Sequence, residues 1–231
     1  MIETLHKIDT QLFLWLNSLH SDMLDSFMYD YSGKWVWGIL YATILYAMIR
    51  TWGWRRGMLI ALGAILVVTL ADQTCASLLR PEIQRLRPTH PDNPISDLVH
   101  TVAGYRGGVY GFPSCHAANT MGAAMFISLI FRQRSVGAFM FFWALLNCYS
   151  RIYLGVHYPG DLLIGTIIGL FWGTIVWLIC RYLLTSYSTQ GFTHHPHTHT
   201  RHIGPFKVTP PNMIPLVGIA ITIALLLKSI L

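Results

Sequence analysis

Gly57-Met-Leu-Ile-Ala-Leu-Gly-Ala-Ile-Leu-Val-Val-Thr-Leu-Ala-Asp-Gln-Thr-Cys-Ala-Ser-Leu-Leu79 carries a single charged residue, Asp72, and is closed by Arg55-Arg56 before it and Arg80 after it. A helix needs about 20 apolar residues to cross a bilayer core, so a run of this length reads as a membrane span. A carboxylate inside such a span is costly and normally has a partner. Arg80 lies two helical steps of four beyond Asp72, which allows a pair along one face of the helix. Hydrogen bonding to a neighbouring helix is the equal alternative.

The rest of the chain follows the same pattern. Of its 231 residues, 53% are hydrophobic and only 11% are charged, against about 25% charged in a soluble domain. The formal charge of +6 does not signal nucleic acid, because the basic residues sit at span ends and in short loops rather than on one stripe. Cys75, Cys115, Cys148 and Cys180 form no CxxC pair, so neither a zinc site nor a disulfide framework is indicated. Residues 1–20 lack a basic leader and a small-residue cleavage site, so a cleaved signal peptide is not expected.

The expectation is an all-α, polytopic membrane helical bundle of about six transmembrane helices, with an N-terminal amphipathic helix in the membrane interface. Leu5, Ile8, Leu12, Leu16 and Leu19 recur at helical spacing, while Glu3, Lys7 and Asp9 lie off that stripe. The first span starts near Phe27 or Trp35 and ends at Ile49. The second is residues 57–79, the third about His116–Phe131, the fourth about Val136–Tyr149, the fifth Pro159–Leu184 and the sixth Met213–Leu227. The whole of 1–231 is read as one membrane domain. It has a core at 20–185, a His-rich cytoplasmic loop at 186–212 and an extra C-terminal span at 213–231.

Placing alternate loops on opposite sides gathers Arg50, Arg55, Arg56, Arg132, Arg134, Arg181, Arg201 and Lys207 on one face. The positive-inside rule makes that face cytoplasmic. The opposite ends then collect Arg80, Arg87-Pro88, Pro113-Ser114-Cys115-His116, Ser150-Arg151 and His157-Tyr158-Pro159-Gly160-Asp161. Pro159 suits the first turn of a helix, so Asp161 in that turn reaches back to the His157 imidazole and fixes its tautomer. An oriented, neutral imidazole is a nucleophile or a general base. Ser114 is a good N-cap, and a helix start with free N–H groups binds phosphate. Arg87 and Arg151 add bidentate cations for phosphoryl oxygens. A lone histidine or arginine at a span end is more often structural or snorkelling. Their coincidence on one membrane face is what favours phosphate chemistry.

These pieces resemble the signature of the type 2 phosphatidic acid phosphatase superfamily. It reads lysine, six residues, Arg-Pro; then Pro-Ser-Gly-His; then Ser-Arg, five residues, His, three residues, Asp. Ser150-Arg151, His157 and Asp161 match in type and spacing. The resemblance implies that His157 is the nucleophile forming a phosphohistidine, that Asp161 orients it, and that His116 is the general acid. It implies that Arg80, Arg87, Ser114, Cys115 and Arg151 line the phosphate site, with no metal and no cofactor. Two positions depart: Arg80 stands for lysine, with the same charge and a different fork, and Cys115 stands for glycine. With the cationic face cytoplasmic, the site is expected to face outward, which in the inner membrane of a bacterium means the periplasm. The partners of the implied enzyme would be membrane lipids and an amphiphilic lipid phosphate or diphosphate: undecaprenyl diphosphate, phosphorylated lipid A or phosphatidylglycerol phosphate.

Three competing readings are weaker. A cysteine phosphatase needs arginine six positions after the cysteine, and Cys115 leads to Met121. The histidines between His194 and His202 lack acidic or thiol partners for a catalytic metal. A non-catalytic lipid binder or transporter would not need the His116, His157 and Asp161 set.

Overall fold

The computed structural model describes residues 2–186, 201–203 and 206–231. Within them the regular structure is helical apart from a short ribbon of β1 (Arg201–Ile203) against β2 (Phe206–Val208), and residues 84–114 form a long, mostly irregular connection. The expected His-rich loop falls largely outside the described residues.

Helix α1 (Ile2–Asn17) is followed by α2 (Asp22–Tyr31) and α3 (Gly38–Trp52). Of the two starts expected for the first span, the one near Trp35 lies close to the start of α3, and the stretch between Tyr31 and Gly38 separates it from α2, which holds Phe27. Gly53 then turns the chain in the left-handed region at φ 79°. After it, α4 (Trp54–Gln73) runs on through a π-helical turn at Thr74–Leu79 into the short α5 (Arg80–Ile83). The bundle is completed by α6 (Cys115–Phe131), α7 (Arg134–Tyr153), α8 (Pro159–Ser186) and α9 (Met213–Ile230). Among the described residues three segments are long and apolar enough to cross a membrane: Trp54–Ile83, Pro159–Ser186 and Pro210–Ile230, with Cys115–Phe131 a shorter apolar helix. Large apolar side chains such as Ile65 on α4, Leu163 and Phe171 on α8, and Leu227 on α9 are exposed. Water would penalise such a surface, whereas lipid accepts it. The protein is an integral membrane protein.

At the centre, α6 packs along α8 and is flanked by α4 and α7. The approach of α6 to α8 is set by glycines one turn apart on α8. A Cβ on Gly165 would lie 2.4 Å from the Ser114 carbonyl oxygen, on Gly169 2.3 Å from that of Ala118, and on Gly173 2.7 Å from that of Gly122. Small residues at this spacing let helix backbones touch where lipid supplies no hydrophobic drive. The contact holds the N-terminus of α6 beside the N-terminus of α8.

Asp72 hydrogen-bonds across helices, accepting from Asn119 Nδ2 on α6 at 3.0 Å. This is the structural alternative; no Asp72–Arg80 ion pair forms among the described residues. Arg80 turns instead to the start of α6, where its Nη2 donates to Pro113 O at 3.0 Å.

Helix α1 lies against α7 and α8. Phe13 is fully buried against the Tyr158 ring, centroids 5.2 Å apart. Asn17 Nδ2 donates to the carbonyls of Ile152 and Tyr153 at 3.1 and 2.9 Å, satisfying the end of α7. Leu5, Ile8, Leu12 and Trp15 point away from the bundle and are exposed.

Candidate active site

The site lies where α6 and α8 begin, α7 ends, and the segment after α5 folds over them. That segment doubles back on itself: Arg87 N donates to Val109 O at 3.1 Å and Gly111 N to Arg85 O at 2.9 Å. In extended chain, residues two apart point to the same side. Arg85 and Arg87 therefore both face the same pair of side chains, His157 and Asp161.

His157 Nδ1 lies 3.3 Å from Asp161 Oδ2. Its Nε2 lies 3.0 Å from Arg87 Nη1. Arginine has only N–H donors and an ionised carboxylate only accepts. The imidazole must therefore carry its hydrogen on Nδ1 and a lone pair on Nε2. His157 is 2% exposed. Burial, followed by the charges of Arg87, Arg151 and Arg80, holds its pKa well below the ordinary value. The ring is neutral, with Nε2 aimed at a cationic pocket.

Asp161 has no exposed surface. Oδ2 also accepts the Tyr158 N–H at 3.0 Å, and Oδ1 accepts Arg85 Nη1 at 2.9 Å. Its backbone carbonyl accepts from Ser114 N at 3.0 Å, tying the two helix starts together. Gly111 lies directly against this group, since a Cβ there would sit 3.1 Å from Asp161 Oδ2 and 3.5 Å from His157 Nδ1.

The cations converge from three segments. Arg80 Nη2 donates to Pro113 O at 3.0 Å and lies 2.9 Å from Cys115 Sγ. Arg87 Nη1 also donates to Val156 O at 3.0 Å. Arg151, at the end of α7, donates to Ser32 Oγ through Nη1 and to Tyr105 Oη at 3.1 Å through Nη2. In each of Arg80, Arg87 and Arg151 the Nε–H is buried without a protein partner. Burial, with the charges of Arg151 and Arg80, lowers the Arg87 pKa to about 10, so it remains a cation at neutral pH. Clustered, mutually repelling cations with spare buried donors suit an oxyanion with several acceptor oxygens.

Ser114 is the N-cap of α6, as expected; its Oγ accepts from Ala117 N at 3.4 Å. His116, in the first turn, holds Nε2 3.2 Å from Ser32 O. A carbonyl only accepts, so Nε2 carries a hydrogen and Nδ1 is the nitrogen left for a substrate. Cys115 sits in ordinary helical backbone, which explains why a side chain is accommodated where glycine was expected.

All eight residues singled out from the sequence therefore gather at one end of the bundle. Arg106, another cation of the same connection, instead donates to Thr89 O at 2.9 Å while Thr89 Oγ1 donates back to its carbonyl at 2.8 Å, locking the loop. Missed by the sequence reading were Ser32 and Tyr105, which anchor Arg151, and Gly111, which abuts the His157–Asp161 pair. Asp9 was also missed; its Oδ2 lies 2.7 Å from Arg85 Nη2.

Residues 58–184 match the model of the PAP2 superfamily. The chain is 49% identical over 183 residues to the Lipid A 4'-phosphatase of Bacteroides thetaiotaomicron, covering 79% of this chain and 81% of that one. It is 35% identical over 196 residues to the Lipid A 4'-phosphatase of Porphyromonas gingivalis, covering 84% and 82%. Among solved structures, a PAP2-type phosphatidylglycerolphosphate phosphatase from Bacillus subtilis superposes with a TM-score of 0.57 at 21% identity, over 81% of this chain and 89% of that one. This last likeness concerns the fold.

Proposed function

The chain belongs to the PAP2 superfamily, and we propose that it removes the 4'-phosphate of lipid A at the periplasmic face of the inner membrane, through a phosphohistidine at His157. That it is a lipid phosphatase follows from the family and from relatives named for that activity. The choice of lipid A over undecaprenyl diphosphate is supported by the two relatives that carry that name at 49% and 35% identity.

The observation that carries the mechanism is the orientation of His157, with Nδ1 toward Asp161 and Nε2 toward Arg87. As a phosphate monoester enters, the spare Nε–H groups of Arg80, Arg87 and Arg151 take its oxygens. Nε2 attacks phosphorus, an N–P bond forms and the bond from phosphorus to the sugar oxygen breaks. Asp161 stabilises the charge that develops on the ring. His116 delivers a proton from Nδ1 to the leaving oxygen, its Nε2–H held by Ser32 O. The bound phosphate supplies the negative charge that favours the protonated imidazole. In the second half His116 takes a proton from water, the resulting hydroxide attacks phosphorus, and the N–P bond breaks to release phosphate. Arginines perform the electrostatic stabilisation throughout.

The same reading takes the bundle as six crossings: the α2–α3 pair, α4, α6, α7, α8 and α9. It lays α1 in the interface with Leu5, Ile8, Leu12 and Trp15 toward lipid. Arg50, Arg55, Arg56, Arg132, Arg134 and Arg181 cluster at the ends remote from His157, which under the positive-inside rule supports an outward-facing site.

The test offers purified protein in detergent lipid A, undecaprenyl diphosphate and phosphatidylglycerol phosphate in parallel, in EDTA. Loss of one phosphate from the 4' position of lipid A, read by mass spectrometry, is expected to outpace release from the other two. Preference for undecaprenyl diphosphate would overturn the substrate assignment, and dependence on added metal would overturn the mechanism.

A further inference from the structure

The His157–Asp161 pair is the visible end of a longer chain of charges that reaches into the N-terminal helix. Asp161 Oδ1 pairs with Arg85 Nη1 at 2.9 Å, and Arg85 Nη2 lies 2.7 Å from Asp9 Oδ2 on α1. The second contact is an ion pair rather than a well-directed hydrogen bond. Asp9 Oδ1 accepts the Gly160 N–H at 2.8 Å, in the first turn of α8 and next to Asp161 itself. Gly160 is required for that approach, because a Cβ there would stand 2.8 Å from Asp9 Oδ2 and 3.2 Å from its Cγ. The Arg85 guanidinium lies 3.8 Å over the centre of the Tyr158 ring, which fixes its plane. Asp9 and Arg85 are 16% and 17% exposed, so the contact is mostly shielded from water.

We propose that Arg85 and Asp9 are positioning residues of the phosphatase reaction, holding Asp161 so that it keeps the His157 ring in the attacking orientation. The inference rests on the reading of His157 as nucleophile. Both terminal nitrogens of Arg85 lie against carboxylates, Nη1 against Asp161 and Nη2 against Asp9. Its role is to supply the counter-charge for a carboxylate with no solvent contact, and a buried carboxylate needs one to stay ionised and in place. Asp9 in turn keeps Arg85 from swinging toward the substrate and clamps the first turn of α8. Asp9 lies outside residues 58–184, which match the family model, so α1 contributes to the site a contact the core does not contain.

The test compares Arg85→Met, Arg85→Lys, Asp9→Asn and Asp9→Glu with the parent protein and with His157→Ala, on lipid A in detergent. Melting temperature and gel filtration serve as folding controls. A misaligned reacting group costs about a hundredfold, so Arg85→Met is expected to lose about that in kcat with KM changed by no more than about threefold. Asp9→Asn is expected to lose about tenfold in kcat by a smaller displacement of the same kind. Arg85→Lys and Asp9→Glu, which restore charge, are expected to recover part of each loss. Full kcat in folded Arg85→Met, a loss carried wholly by KM, or an unaffected Asp9→Asn would overturn the inference while leaving His157 as nucleophile. Turnover retained by His157→Ala would instead overturn the reading beneath it.

Discussion

Replacing Gly169 by alanine adds one methyl group at the tightest of the three backbone contacts between α8 and α6. The new Cβ would stand 2.3 Å from the Ala118 carbonyl oxygen, 2.8 Å from Gly122 N and 3.0 Å from Ala118 C. All three are backbone atoms of α6, so no rotamer change relieves the clash and the helices must part. Ordinary contact begins near 3.4 Å, so α6 and α8 have to separate by about 1 Å. Overpacking of this kind costs about 1–3 kcal/mol. Because Ser114 and His116 ride on α6 while Asp161 rides on α8, the separation also displaces the acid from the nucleophile. A shift of about 1 Å in a reacting group costs about a hundredfold in rate. The assay is thermal unfolding in detergent together with lipid A dephosphorylation, with Gly38→Ala as reference. Nothing lies within 4 Å of a Cβ on Gly38, so that variant is expected to be neutral or slightly stabilising. Gly169→Ala with the melting temperature and turnover of the parent would refute the claim that backbone contact between α6 and α8 sets the geometry of the site.

Three further outcomes follow from the site. Arg151→Ala removes a cation anchored by Ser32 and Tyr105. It is expected to lower kcat/KM by about a hundredfold to a thousandfold, checked by steady-state kinetics on lipid A. Cys115→Gly restores the expected glycine and is expected to stay within about fivefold of the parent in the same assay, since Arg80 keeps its bond to Pro113 O and the thiol it loses is only a weak acceptor. Burial and the neighbouring arginines push the His157 pKa down, and the neutral ring is the nucleophile. Activity is thus present above the lowered pKa and lost only as pH falls through it. The acid limb of kcat/KM assigned to His157 is expected below the ordinary imidazole value of about 6.5. Below that value the unfolded chain binds a proton the folded one refuses, so stability also falls on acidification. A His157-dependent limb above 6.5 would contradict the geometry.

Local signals were legible in the sequence and long-range ones were not. Proline followed by Asp161 predicts a helix start whose carboxylate reaches His157, because four residues span one turn. Ser114 reads as a cap for the same reason. The side of the membrane shared by the site pieces follows from counting apolar runs. At Asp72 the spacing allowed either Arg80 or a neighbouring helix, and the packing of α6 against α4, invisible in the sequence, decided for Asn119. The role of Asp9 depends on how α1 docks, through Phe13 and Asn17, against segments more than a hundred residues away. Asp9 was legible only as an acid off the apolar stripe. The tight seam of Gly165, Gly169 and Gly173 was present as a repeat in the sequence, but its partner carbonyls on α6 required the packed bundle. Arg106 resembled the other cations in the sequence and differs only in having found Thr89.

The most direct measurement is a rapid acid-free quench of the purified protein turning over radiolabelled lipid A, followed by proteolysis and mass mapping under mildly alkaline conditions that preserve phosphohistidine. Label is expected on the peptide containing His157, chased by excess unlabelled lipid A and absent in His157→Ala. Turnover at the parent rate with no covalent label, or label at another residue, would contradict the assignment of His157 as nucleophile.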